Sequence, residues 1–318
     1  MSDFAYQASH EQFAPGELIK LCQLAEAAGF TAINASDHFH PWSKRQGQSG
    51  YVYAWLGAAL QATAIPIGVI TAPGQRQHPA IVAQAAATLA QMFPKRFSMA
   101  LGSGEALNER ITGEAWPTKK IRNERLLECF QIIKRLLNGE TVSYNGHVCI
   151  ENAKLYTLPE QLPLLLGAAL TPETAAWMGG WAEGLLTAHK PLSELQKIID
   201  AFKKNGGEGK PMFLQVQLGY GTDEERLAKD ILHQWRTNIF PVNVKGELWK
   251  VEQFDALGEL VTIEHIKNKL LISTSIQQHI DNLKSYAGLG FERIILHNVG
   301  RNQEEFIKVF GEDVLPKV

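Results

Sequence analysis

Between positions 36 and 42 the chain reads Ser36-Asp37-His38-Phe39-His40-Pro41-Trp42, with two imidazoles, a carboxylate and an indole in seven residues. An imidazole takes or gives a proton near neutral pH, and an adjacent carboxylate can orient or charge-stabilise the ring. His38 is therefore the first candidate base. A second cluster, Gly102-Ser103-Gly104-Glu105-Ala106-Leu107-Asn108-Glu109, combines glycines that let a flat ring or a phosphate approach the backbone with a carboxyl at Glu105 suited to acid–base work. Gly-x-Gly also makes ordinary turns, so position has to give it meaning. Glu109 and Arg110 are expected to be solvated neighbours. A third stretch, Ala168-Ala169-Leu170-Thr171-Pro172-Glu173-Thr174, has the form of a helix start capped by Thr171, whose free N–H groups suit a phosphate. Every helix needs a cap, and only its place in the fold can raise this one. Lys190, Lys245 and Lys269 lie far apart, and spacing alone does not select them from the 31 Lys and Arg residues.

These clusters need a scaffold that gathers them. Short apolar segments at 4–8, 31–34, 65–71, 97–101, 163–167, 184–187, 212–219 and 291–297 alternate with segments of helical period. The helical segments are 15–28, 79–92, 122–137, 172–181, 192–204, 223–235, 275–289 and 302–310. Eight strands alternating with helices predict a closed parallel (β/α)8 TIM barrel, whose active site lies where strands end and loops begin. The alternative, an open doubly wound sheet, calls for a glycine-rich turn after the first strand. Gln7-Ala8-Ser9-His10-Glu11-Gln12 contains no glycine. Two stretches exceed a minimal barrel, a hairpin at 142–156 around Asn145-Gly146 and the 238–270 segment, and both are expected to act as lids over the C-terminal face of the strands.

With 318 residues and 45% of them hydrophobic, the chain can bury one large core, and a single domain over 1–318 is expected. A formal charge of −2 provides no broad cationic field, which argues against nucleic-acid and membrane partners and leaves any anionic ligand to a few local bases. Three scattered cysteines, Cys22, Cys129 and Cys149, lack the spacing of a metal or disulfide framework, and no apolar run is long enough to span a bilayer. The expectation is a soluble cytoplasmic protein without a metal, acting on a small molecule.

Taken together, Ala8-Ser9 with Glu11-Gln12-Phe13, Ser36-Asp37-His38-Phe39 with Pro41-Trp42, Pro79-Ala80 with Ala83-Gln84, and Gly104-Glu105-Ala106-Leu107-Asn108-Glu109 form a specific pattern. Ala115-Trp116-Pro117 and Gly288-Leu289-Gly290 with His297 agree with it. The chain resembles, almost end to end, the luciferase-like oxidoreductases, and within them the glucose-6-phosphate dehydrogenases that use the deazaflavin coenzyme F420. The resemblance implies His38 as the base that takes the proton of the substrate hydroxyl, Glu105 as an acid beside the coenzyme ring, Trp42 as a shaping residue and Glu11 as a polar neighbour. It places Asp37, Val69, Ile70, Ser103, Gly104, Asn108, Ala168, Ala169 and Thr171 at coenzyme-contact positions, and Thr187, Lys190, Lys245 and Lys269 at the substrate and its phosphate. It further implies a homodimer and a non-prolyl cis bond at Val69-Ile70. The chain departs from the pattern where Lys269 replaces an arginine, where Leu170-Thr171 replaces paired glycines, and where the third strand is one residue shorter with Val69 in place of a serine. Those departures keep an FMN-dependent monooxygenase or reductase as the alternative.

Overall fold

The computed structural model describes residues 2–318. Eight strands close a parallel barrel: β1 (Asp3–Ala8), β2 (Ala32–Ser36), β3 (Ile67–Thr71), β4 (Phe97–Leu101), β5 (Leu164–Ala168), β6 (Leu185–Ala188), β7 (Met212–Tyr220) and β8 (Arg293–Asn298). They pair in chain order, and β8 returns to β1 with Tyr6 opposite Leu296. Each lies where an apolar run predicts it.

Around the barrel run α1 (Pro15–Ala27), α2 (Val52–Ala62), α3 (Pro79–Met92), α4 (Lys119–Leu137), α5 (Pro172–Gly179), α6 (Leu192–Phe202), α7 (Glu224–Trp235), α8 (Ile276–Ala287) and α9 (Gln303–Val309). Helix α2 escapes sequence reading. No charged residue occurs between Tyr51 and Arg76, so its buried face of Val52, Trp55, Leu56, Ala59 and Leu60 has no polar counterpart to mark the period. Helix α7 forms as expected but lies over the C-terminal end of the strands: Gln234 donates to Arg45 O at 3.3 Å, and Asp230 accepts from Arg301 N at 2.7 Å. The antiparallel return to β8 is left to α8.

Successive strand residues face opposite sides, so positions two apart share the barrel interior. Ala5, Ala32, Ala100, Leu166, Leu186, Phe213 and Ile295 fill one interior layer, with small residues facing large ones. One step nearer the C-terminal ends, Gln7, Asn34, Gln215 and His297 stand on the same strands as Ala5, Ala32, Phe213 and Ile295. Asn34 Nδ2 donates to Gln7 Oε1 at 2.7 Å, Gln215 Nε2 donates to the same oxygen at 3.2 Å, and Gln7 Nε2 donates to Ser36 Oγ at 3.1 Å. An apolar plug thus gives way to a polar floor.

Two expectations are corrected. No cis peptide occurs among the described residues, Val69-Ile70 included. Val69 sits opposite Ala35 and Met99, and Ile70 opposite Ser36 and Ala100, so the ladder runs through this bond without interruption on both sides. Only one of the two extra segments covers the mouth. The hairpin Val142–Asn145 and Cys149–Ala153 lies along α4 and the start of α3, with Val148 N donating to Glu128 at 3.1 Å and His78 Nε2 meeting Cys149 O at 3.1 Å. The lid is the 238–270 segment. It is held by Gly246 O, which accepts from Trp116 Nε1 at 2.9 Å, and by fully buried Phe254 packed on Trp42 and Leu107.

A buried charge network ties together the rim that carries the site. Asp37, just past β2, accepts from Thr71 Oγ1 at 2.7 Å and Gln77 Nε2 at 3.2 Å, and pairs with Arg76 at 3.0 Å. Arg76 also meets Glu109 at 3.5 Å, and its backbone N–H donates to the same carboxylate at 2.9 Å. Glu109 is 2% exposed, not solvated as its sequence position suggests, because a cation from another loop neutralises it. Burial pushes its carboxyl up, and Arg76 opposes that push. Removing one member of a buried charge set leaves uncompensated charge, a loss of about 3–5 kcal/mol. Arg76→Met is therefore expected to lower the melting temperature by several degrees in calorimetry, whereas an unchanged transition would remove the network from the account of the rim.

Candidate active site

The loop after β2 is shaped from below by Asn108, whose Oδ1 accepts from the backbone N–H groups of Phe39 at 2.8 Å and His40 at 3.1 Å. Ser49 Oγ donates to His38 O at 2.8 Å. This bracing holds the His38 ring against Glu11, which belongs to the loop after β1: Nδ1 meets Oε1 in a direct ion-pair contact. Ser9 Oγ donates to the other Glu11 oxygen at 3.0 Å. Trp42 stands edge-on to His38, with ring centroids 5.4 Å apart at 89°. Lys245, from the lid, places Nζ 5.4 Å from the Trp42 ring and donates to Asn238 O at 3.2 Å.

The electrostatics set two carboxyls apart. Burial alone would raise Glu11, but the charge and hydrogen bond of His38 outweigh it and hold the carboxyl down at about 2. Burial would likewise lower His38, yet Glu11, then Glu105 and Asp37, raise it above its ordinary value. Glu105, at the cap position of the short helix Ala106–Glu109, is raised by burial against the pull of His38 and Lys245. Lys245 is lowered by burial and by Lys190, with Glu105 opposing. One carboxylate thus stays ionised while the other tends toward its acid form, and an imidazole held above its ordinary value interacts with both. Such a separation suits acid–base work.

Beside this cluster the backbone opens into a shelf. An added Cβ at Gly102 would meet only Ala168 Cβ at 3.8 Å and Thr71 O at 3.9 Å. Gly104 has φ +78, and a side chain there would strike Glu109 Cγ at 2.8 Å, so glycine is required. Lys119 Nζ donates to Ser103 Oγ at 2.7 Å. Ile70 and Ala168 face the barrel interior, while Val69 is buried in the layer between sheet and helices. Ala169 is buried, and Thr171 caps α5 by accepting from Thr174 N at 3.3 Å. Of the expected coenzyme-contact residues, Asp37, Val69 and Asn108 therefore have their side chains committed to the scaffold.

Lys190 and Lys245 are within electrostatic reach of each other, and the backbone of Lys269 is tied to His189, the residue before Lys190. Nδ1 of that ring accepts from Gln217 N at 3.2 Å, which leaves Nε2 to donate to Lys269 O at 2.9 Å. Lys190 is half-buried, with Glu194 3.8 Å away, and Lys269 is exposed. Thr187 is 2% exposed, and its hydroxyl has no partner among the described residues. Sequence reading missed Arg76, His189 and the polar floor. Polar side chains at equivalent heights in otherwise apolar strands are the signal that would have revealed Gln7, Asn34 and Gln215.

Comparison with known proteins places the chain in a family. Residues 2–293 match the family model described as "Luciferase-like monooxygenase". The chain is similar to an F420-dependent glucose-6-phosphate dehydrogenase of Microbacterium testaceum, 32% identical over 99% of this chain and 97% of that one. Its counterpart from Nakamurella multipartita is 31% identical over 99% and 96%. Among solved structures, an F420-dependent secondary alcohol dehydrogenase in complex with an F420-acetone adduct superposes with a TM-score of 0.91 at 28% identity, covering 100% of this chain and 99% of that one. With its barrel, its rim of paired ionisable groups and matches over nearly its whole length, the chain is an oxidoreductase that belongs to the luciferase-like monooxygenase family.

Proposed function

We propose that this oxidoreductase oxidises a phosphorylated sugar or a similar hydroxyl compound by hydride transfer to a deazaflavin coenzyme, with His38 as the base. The observation that carries the reading is the His38–Glu11 pair, set beside an open glycine shelf and below a lid lysine. The donor set fits the coenzyme: Gly102 leaves backbone room beside Ala168, Ile70 borders the same interior, and half-buried Glu105 can offer a proton at the edge of a ring. When bound, the deazaflavin supplies a ring carbon that accepts a hydride. The protein's residues do the rest.

His38 takes the proton from the substrate hydroxyl as the carbon–hydrogen bond breaks, and Glu11 holds the ring and stabilises the imidazolium that forms. Trp42 fixes the ring edge-on, so the base does not have to reorganise. Lys245, Lys190 and Lys269 supply point charges for a phosphate at the far end of the substrate. Binding energy from that end helps place the reacting carbon. The names of the similar proteins support both the coenzyme and the hydroxyl substrate.

His38→Ala leaves buried Glu11 without its counter-charge and should lower the melting temperature modestly, while coenzyme affinity stays nearly intact and turnover falls at least about a hundredfold, the scale of a lost general base. Retained turnover would take His38 out of the mechanism. Because Glu11 raises His38, kcat/KM should climb with pH through a value above the ordinary 6.5 and then level off as the ring becomes neutral. Glu11→Gln removes that support and should shift the rise to lower pH, and an unshifted profile would contradict the pairing. Lys245→Ala should raise KM for a phosphorylated substrate well above the effect on its unphosphorylated analogue, whereas equal effects would argue against a phosphate pocket.

A further inference from the structure

A second polar face of the same mouth is not used by the proposed acid–base step. His297 occupies the interior position one step beyond Ile295 on β8 and is 3% exposed, with no hydrogen-bond partner for either ring nitrogen among the described residues. Trp235, at the end of α7, roofs it edge-on with ring centroids 4.8 Å apart at 82°. Its indole Nε1 is also buried without a partner among the described residues. Gln12 closes the side. It donates to Val299 O at 2.9 Å and Gln234 Oε1 at 3.2 Å, and its own Oε1 has no partner among the described residues. The group adjoins the reacting cluster, since Glu11 lies close enough to influence the His297 ring electrostatically.

Buried polar groups are nearly always paired, and each one left unpaired costs about 1–3 kcal/mol. Other buried polar atoms also lack partners among the described residues, both ring nitrogens of His10 included, but His297, Trp235 and Gln12 bring four such atoms together next to Glu11, and that grouping is the argument for a ligand. Their chemistry is neutral and mixed. Burial holds His297 down at about 4, so near neutral pH the ring carries one donor and one acceptor. The indole adds a donor and the amide oxygen an acceptor. Two donors and two acceptors without net charge match alcohol hydroxyls, each of which gives and receives, and do not match an anion. The charged end of the substrate is left to the lysines on the β6 and lid side.

We propose that His297, Trp235 and Gln12 form a hydroxyl-recognition wall that selects a polyhydroxylated substrate over a simple alcohol; the inference rests on the hydroxyl-substrate reading above. It names the groups that would distinguish a sugar-like substrate from a short secondary alcohol on one shared scaffold.

The test is calorimetric binding of two probes to the coenzyme-free protein: a hexitol 6-phosphate, and 6-hydroxyhexyl phosphate, which keeps the chain length and phosphate with a single hydroxyl. His297→Phe and Trp235→Phe preserve an aromatic ring and remove the polar atoms, so the melting temperature checks the fold and either variant suffices if the other fails to fold. The expected result is that each folded variant binds the hexitol phosphate at least about tenfold more weakly, with 6-hydroxyhexyl phosphate unaffected. Unchanged hexitol binding, or equal losses for both probes, would overturn the wall. Binding of both probes with equal affinity by the unsubstituted protein would overturn it too, while leaving the phosphate reading in place. If that protein binds neither probe, the phosphorylated-substrate reading fails and takes this inference with it.

Discussion

Closing eight parallel strands into a ring forces all their C-terminal ends onto one rim, and this constraint organises everything else in the molecule. Residues as distant in sequence as Glu11, His38, Glu105 and Lys190 become neighbours only because β1, β2, β4 and β6 end at the same level. The two-residue side-chain period then decides what the rim stands on. Ala5, Ala32, Phe213 and Ile295 seal the barrel, and the next interior positions on the same strands, Gln7, Asn34, Gln215 and His297, make a polar floor. A shift of one residue in register would send these side chains into the helix-facing core, where their polar atoms would be left without water or partners.

Charge at such a rim must be balanced locally, because the net charge of −2 provides no general field. Two balanced sets do this at different depths. Asp37 and Glu109 share Arg76 behind the site, with Arg125 adding positive charge near Glu109, and together they fix the loops after β2, β3 and β4. Glu11 and His38 pair at the surface of the mouth, where His38 is still partly exposed. The deeper set is structural. The outer one can exchange a proton, and its partners Glu105 and Lys245 are each held away from their ordinary titration ranges by burial. The lid makes this possible, since Phe254 on Trp42 brings Lys245 to a place it would not otherwise reach.

The sequence made the barrel legible because each strand is a compact apolar run and most helices begin at a proline or a capping residue. It failed where a signal needs contrast or a distant partner. Helix α2 has no polar face, so its period is invisible, and α7 can be read as a helix but not as one lying across the strand ends. Glu109 sits in a loop rich in polar residues and looks solvated until Arg76, 33 positions earlier, is seen against it. The site residues His38, Glu11, Trp42, Glu105 and Lys245 do come together, and most of them sit just past a strand, where such residues are easiest to find. His189 and the unpaired atoms of Trp235 were hidden because their importance lies in which atoms remain free.

The central claim, hydride transfer to a deazaflavin beside Gly102, is tested most directly by equilibrium binding of the oxidised deazaflavin coenzyme and of FMN to the purified protein. Both titrations would be followed by fluorescence quenching in the same buffer. The account requires tight binding of the deazaflavin with FMN bound far more weakly. Selective binding of FMN would contradict it and assign the same His38–Glu11 pair to oxygen-dependent flavin chemistry.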